Sequence, residues 1–307
     1  MTNSIVLSLP HRRGNPRNSE GAFIDLADGR ILFAYSKFIG NTWSDHGTAV
    51  IAARFSSDAG RTWSARDRVL IQPEGRCNVM SVSLLRLTDD SIGLFYMRKN
   101  SLSDCIPWCR RSRDEGRTWS RATRCVPAPG YFVLNNDRVI KLSSGRLLLP
   151  AAFHRSRKVN SGTDTRAFES RAIGMFFLSD DSGRTWTEAD DWWTLPRRSR
   201  TGLQEPGAVE LSDGSLYAWY RTDTGRQWES RSRNQGRTWS KPKPSPFFGP
   251  TSPLSIKRIP QLDTCLAVWN DHHPDRWTPP TPRDPDPSWG RTPLSAALGD
   301  PLTHEWA

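Results

Sequence analysis

The 307-residue chain has only five cysteines, no run of five or more like charges and no long apolar stretch. Each shortage removes a class of protein. Cys77, Cys105, Cys109, Cys125 and Cys265 are odd in number, and Cys105-Ile-Pro-Trp-Cys109 has neither a matching second pair nor a nearby histidine, which argues against a zinc site. Reduced, partly buried thiols are expected instead. The apolar stretch Ile5–Leu9 is too short for a signal-peptide core, and no later segment is long enough to span a membrane. As written the chain reads as cytoplasmic, with no membrane partner; an upstream start would make it secreted or periplasmic. The net charge of +11 favours anions of any sort, but it is dispersed and forms no basic tail, so nucleic acid ranks last among partners. Hydrophobic residues make up 36%, low for one compact core and suited to small cores shared between repeated sheets. Helical periodicity is absent throughout.

What is present is a repeat. Ser56-Ser57-Asp58-Ala59-Gly60-Arg61-Thr62-Trp63 recurs as Ser112 to Trp119, Ser179 to Trp186 and Ser232 to Trp239, with Asn234 in place of the aspartate in the last copy. A worn fifth copy, Thr303-His304-Glu305-Trp306, lies at the end of the chain. Asp or Asn can bond the backbone two residues on, Gly supplies a positive φ, and Thr and Trp are expected to begin the next strand. The tryptophans are 56, 67, 53 and 67 residues apart, room each time for a four-stranded antiparallel sheet.

Strand-like runs fill the intervals: Ala22–Leu26, Ile31–Ser36 and Ala49–Phe55, then Val79–Leu87 and Ile92–Met97. Next come Phe132–Leu142, Arg146–Phe153 and Ile173–Ser179, then Ala208–Leu211 and Ser215–Tyr220. Leu254–Arg258, Cys265–Asn270 and Pro293–Leu298 complete the series, with a Pro- and Asp-rich surface loop over Pro274–Pro287. The expected fold is an all-β propeller of about five blades in a single domain over residues 1–307.

These turns resemble the Asp-boxes of the sialidase (neuraminidase) superfamily over essentially the whole chain. The resemblance implies a six-bladed propeller, so the sequence is expected to be incomplete at its C-terminus, ending within the fifth blade at Ala307. The remaining sheet edges would be exposed, and Ile5–Leu9 is a candidate strand to cover part of them. The resemblance also implies three arginines that grip a substrate carboxylate. Arg17, in Pro16-Arg17-Asn18-Ser19-Glu20, stands where the first belongs; Arg221, at the end of Glu205 to Arg221, matches the second, and Arg291 the third. Guanidinium forks bind carboxylates bidentately, so converging arginines select an acidic sugar. Asp45, in Ser44-Asp45-His46-Gly47-Thr48, matches the family's acid/base and would protonate the leaving oxygen or activate water. Glu205 matches the base that activates a nucleophilic tyrosine. That tyrosine belongs to a sixth blade, and none of Tyr35, Tyr96, Tyr131, Tyr217 and Tyr220 stands at its place.

Asp137 and Arg138, in the polar cluster Asn135-Asn136-Asp137-Arg138, are further candidate substrate contacts. Each assignment has a structural alternative: an ion pair for Glu205 and Arg221, a turn cap for Asp45, a polar turn for Asp137 and Arg138. Asp271, His272, His273 and Asp275 are read as an exposed loop group rather than a metal site, and no cofactor is expected. The implied activity is hydrolysis of a terminal carboxylated sugar such as sialic acid. A non-catalytic acidic-carbohydrate-binding propeller and a uronate-directed polysaccharide-degrading enzyme are the alternatives.

Overall fold

Each repeated turn is closed by its own side chains. The structure, a computed structural model, describes residues 5–157, 164–279 and 290–307. In the first copy the Asp58 carboxylate accepts from Thr62 N at 2.8 Å and Thr62 Oγ1 at 2.6 Å, and Ser56 Oγ donates to it at 2.8 Å. Gly60 N donates back to Ser56 Oγ at 2.9 Å, and the Trp63 indole donates to Gly60 O at 3.1 Å. The same carboxylate bonds recur at Asp114 and Asp181, and their amide equivalents at Asn234. The chain passes through two successive left-handed residues, Ala59 at φ 57° and Gly60 at φ 84°, which glycine tolerates without strain. Thr62 and Trp63 were expected to begin the next strand; they lie just before it, because closing the turn commits both.

Five antiparallel sets of strands follow from these turns, the second and third joined into one nine-stranded sheet by a single parallel pair, Cys105 beside Tyr131. The first runs β1 (Asn18–Asp25), β2 (Ile31–Phe38), β3 (Ala49–Ser56), β4 (Arg68–Ile71). The second runs β5 (Asn78–Arg86), β6 (Ile92–Ser101), β7 (Asp104–Ser112), β8 (Thr123–Arg124). In the third, β9 (Tyr131–Val133) and β10 (Ile140–Lys141) both pair with β11 (Leu147–His154), followed by β12 (Ile173–Ser179) and β13 (Thr187–Glu188). The fourth is β14 (Gln204–Glu210), β15 (Leu216–Arg221), β16 (Arg226–Ser232), β17 (Lys243–Phe248). The fifth is β18 (Ser255–Ile259), β19 (Thr264–Asn270), β20 (Leu294–Asp300), β21 (Glu305–Trp306). This is a β-propeller architecture, each set of strands a blade.

The cores lie between blades, which is why the strands read as near-continuous apolar runs rather than alternating ones. Ala22, Leu32 and Ile51 pack on Val79, Leu94 and Tyr96 between the first two blades. Leu148 and Phe176 meet Ala218 and Tyr220 between the third and fourth, and Trp219 meets Ile256 and Ala267 between the fourth and fifth. All five cysteines are free thiols, four of them buried, as expected.

Four expectations are corrected. The continuous strand over Phe132–Leu142 is broken between Val133 and Ile140, because the polar Asn135–Arg138 cluster turns back to bond β5: Asp137 N donates to Val82 O and Arg138 N to Ser83 Oγ. The fifth blade is not cut in its middle, since the worn box turns at His304 (φ 60°) into β21 and Trp306 packs on Phe247 at 4.9 Å. Ile5–Leu9 forms no strand: Leu9 packs on the first blade beside Tyr35, Val50 and Ala52, while Ile5 is exposed. Fourth, β7 and β16 are strands where no strand-like run is read from the sequence, their apolar residues being diluted by charged ones. The expected loop Pro274–Pro287 lies largely outside the described residues. No helix among the described residues is long and apolar enough to cross a membrane.

Register places the boxes and the inner-strand starts at opposite ends of each blade. In the first blade Ile31 faces Ser56 of the box, whereas Asn18 faces Lys37 at the other end. The boxes therefore brace one end and leave the other free for loops.

Candidate functional site

At that free end three inner strands carry the same irregularity. β1, β5 and β14 shift register between Ser19 and Ala22, Met80 and Ser83, and Gln204 and Gly207. At each shift a non-glycine residue is left-handed: Glu20 (φ 54°), Ser81 (φ 61°) and Glu205 (φ 44°). Such bulges re-aim side chains at a cost of roughly 1–2 kcal/mol per residue. Here all three residues line one cavity of about 350 Å³ at the mouth of the propeller.

The glycines that follow two of these bulges are required by close packing. A Cβ at Gly21 would stand 2.4 Å from the Phe33 ring, and one at Gly207 2.3 Å from the Trp219 ring. Each glutamate is therefore fixed by the strand beneath it.

Arg17 joins two of the cavity's carboxylates. Its Nη1 donates to Asp45 Oδ1 and its Nη2 to Glu20 Oε1, each at 2.5 Å, while Nε donates to Ser19 Oγ at 2.9 Å. At Asp45 partial desolvation favours the neutral acid, but the hydrogen bond and charge of Arg17, helped by Lys99 and His46, hold the carboxyl below its ordinary value. At Glu20 burial wins over Arg17, and the charges of Asp45 and Glu205 add to it, so this carboxyl is raised. Glu20 Oε2 is buried without a partner among the described residues. Two carboxylates on one guanidinium are thus pushed in opposite directions, which separates acid from base.

Glu205 Oε1 accepts from Arg221 Nη1 at 2.6 Å and Glu205 Oε2 from Asn135 Nδ2 at 3.1 Å. Lys99, nearly buried, also lines the cavity; its Nζ donates to Asp45 O at 2.9 Å and lies over the Tyr131 ring. Met80, Met97, Val133 and Phe168 supply an apolar wall. Tyr131 and His154 complete that side in edge-to-face contact; burial raises the tyrosine hydroxyl and lowers the imidazole to about 4.

The structure thus brings together Arg17, Asp45, Glu205 and Arg221 of the expected site. It does not place Asp137, Arg138 or Arg291 in the cavity lining. Asp137 pairs with Lys257 at 2.9 Å. Arg138 is buried over Trp219 with Nη2 on Leu254 O, and burial lowers it to about 10. The Arg291 side chain is exposed, and its carbonyl accepts from Asn270 Nδ2 at 2.6 Å. Asp271 pairs with Arg276, and His272 stacks on Trp277. No group of His, Cys, Asp or Glu among the described residues could hold a metal ion. Sequence reading missed Glu20, Lys99, Asn135 and Tyr131 as cavity residues. A glutamate shortly before a glycine, at the start of the inner strand in the first and fourth repeats, was the available signal for Glu20.

Residues 78–307 match the family model described as a BNR repeat-like domain. The chain belongs to the sialidase superfamily. An anhydrosialidase of Macrobdella decora is 29% identical over 178 residues, 53% of this chain and 20% of the leech protein. Among solved structures, Trypanosoma rangeli sialidase in complex with 2,3-difluorosialic acid, a covalent intermediate, superposes with TM-score 0.69 and 16% identity over 94% of this chain and 47% of that one. The NanB sialidase from Streptococcus pneumoniae gives TM-score 0.66 and 14% identity over 99% and 62%. This superfamily member spans about a fifth of the leech protein and roughly half of the trypanosomal one.

Proposed function

We propose that this sialidase-superfamily chain is a glycoside hydrolase that removes a terminal carboxylated sugar, such as sialic acid, from a glycoconjugate. The observation that supports this reading is the convergence of Glu20, Asp45 and Glu205 on one cavity, with Arg17 and Arg221 bonded behind them. Asp45, ionised at the mouth, takes a proton from the attacking water, and the raised carboxyl of Glu20 supplies one to the leaving oxygen. Glu205, held on Arg221 and Asn135, is the second base. Lys99 is the cation of the cavity lining that a sugar carboxylate would meet, and the Met80–Met97 wall takes the apolar face of the ring.

Free sialic acid released from an aryl α-sialoside is the test. Wild-type turnover is expected, and Asp45→Asn is expected to lower kcat by about 10²–10⁴-fold. Binding of the sugar with no release would overturn hydrolysis. That outcome would favour a carbohydrate-binding propeller, a reading suggested by the engagement of Arg17 and Arg221 with the protein's own carboxylates. Release of uronate from a uronate-containing polysaccharide, with none of sialic acid from the sialoside, would identify the third reading.

A further inference from the structure

Beside the carboxylate cavity lies a larger one, of about 720 Å³, lined by Arg155, Arg157, Arg171, Arg197 and Arg200 with Glu169 as its single carboxylate. The two cavities share a wall. Phe168 faces the first, stacked on His154 at 4.9 Å, and Glu169 O is within 3.0 Å of His154 Nδ1, while the Glu169 carboxylate turns into the second. Gln204, beside Glu205, donates to Ser170 O of the same wall at 3.1 Å.

The internal partners in this cavity do not match its cations. Glu169 is taken by Arg157, and Arg171 is spent on the carbonyl of Leu195. Arg200 reaches Asp223 only at 4.0 Å, and that carboxylate already accepts from Ser199 Oγ, Thr201 Oγ1 and Arg200 N. Arg155 reaches Glu169 through its charge alone, and the Arg197 side chain has no hydrogen bond or ion pair with a described residue. Like charges gathered around one concavity repel, and they focus a positive potential that an anion relieves. Guanidinium forks match sulfate and carboxylate oxygens in pairs.

We infer that the arginine-lined cavity binds an acidic group, sulfate or carboxylate, of the glycan that continues beyond the sugar held in the carboxylate cavity. The placement beyond that sugar rests on the proposed hydrolase reading; the anion site itself does not. The substrate class is accordingly a polyanionic glycan rather than a singly charged one.

Calorimetry with a sulfated and an unsulfated form of one sialylated oligosaccharide, on the full chain, tests this. The sulfated form should bind about tenfold more tightly at low salt. The difference should shrink in high salt and vanish in Arg155→Gln/Arg197→Gln/Arg200→Gln. The same variant should keep wild-type kcat on an aryl sialoside that carries no second charge. Equal affinity for the two glycans, or a triple variant that still discriminates between them, overturns the site. Tighter, arginine-dependent binding of single-stranded DNA would overturn the glycan assignment in favour of nucleic acid. A wild-type protein that discriminates between the glycans through these arginines but hydrolyses no sialoside would sink the hydrolase reading and leave the anion site standing.

Discussion

Glu205 holds Arg221 at 2.6 Å across the first two strands of the fourth blade, from a left-handed backbone position that also lets it reach Asn135 of the third. One bulged residue therefore joins two blades at the cavity and holds a guanidinium behind it. Both side chains are about four-fifths buried. A double-mutant cycle of Glu205→Gln and Arg221→Met should show a coupling of about 1–3 kcal/mol in urea unfolding. Additive effects would mean the pair contributes no more than a surface contact.

Gly207 lies under that bulge, with the Trp219 ring where a side chain would begin. Trp219 cannot yield readily, because it is buried and its indole donates to Leu254 O at 2.7 Å. Gly207→Ala should cost about 1–3 kcal/mol from overpacking and should lower sialoside turnover by displacing Glu205. A variant with wild-type Tm and activity would show that the strand shifts without disturbing the site.

The box aspartates supply an acid-sensitive element. Asp181 is held down to about 2: its slight desolvation acts the other way, but is outweighed by bonds from Thr185, Ser179 and Arg184 N. A carboxyl lower in the folded than in the unfolded chain stabilises above its unfolded value, near 4, and loses that contribution as pH falls toward 2. Asn234 fills the same role uncharged, its amide bonding Thr238. Asp181→Asn should thus remain folded at neutral pH and show a shallower fall in urea midpoint between pH 4 and pH 2 than the parent. An unchanged slope would place the acid sensitivity elsewhere.

His154 acts with the same sign in a higher pH window. Burial keeps its imidazole neutral down to about 4, although Glu169, through its backbone bond and its charge, favours the cation. The unfolded chain takes up that proton near 6.5, so stability is complete above that pH and declines as pH falls toward 4. His154→Asn, which keeps a donor toward Glu169 O, should flatten the decline between pH 6.5 and pH 4 in thermal unfolding. A parent whose Tm is constant over that range would contradict the buried, neutral histidine.

The legible parts of this protein are those written in contiguous residues. The box closes through bonds between residues at most four apart, so its sequence is its structure, and recurrence of the box counted the blades. Ile173–Ser179 was readable to the residue because β12 is apolar throughout and bounded by a box. β7 was not, since Asp104, Arg110 and Arg111 interrupt its apolar run and only the neighbouring blades explain why Cys105 and Cys109 are buried.

For the site, sequence alone determined the residue types: the arginines, Asp45 and the Glu205–Arg221 pair within one repeat. Which of them meet was decided by tertiary structure. Arg138 and Asp137 sit amid polar residues that look like a pocket rim, yet blade packing buries the first and pairs the second with Lys257. Glu20, Ser81 and Glu205 come from three different blades and converge because their strands bulge at the same level, while Lys99 and Asn135 reach the cavity from β6 and from the loop after β9. A local motif fixes hydrogen bonds between near neighbours in the chain. The shared hold of Arg17 on Glu20 and Asp45, and the burial that raises the first while Arg17 lowers the second, depend on how whole sheets pack.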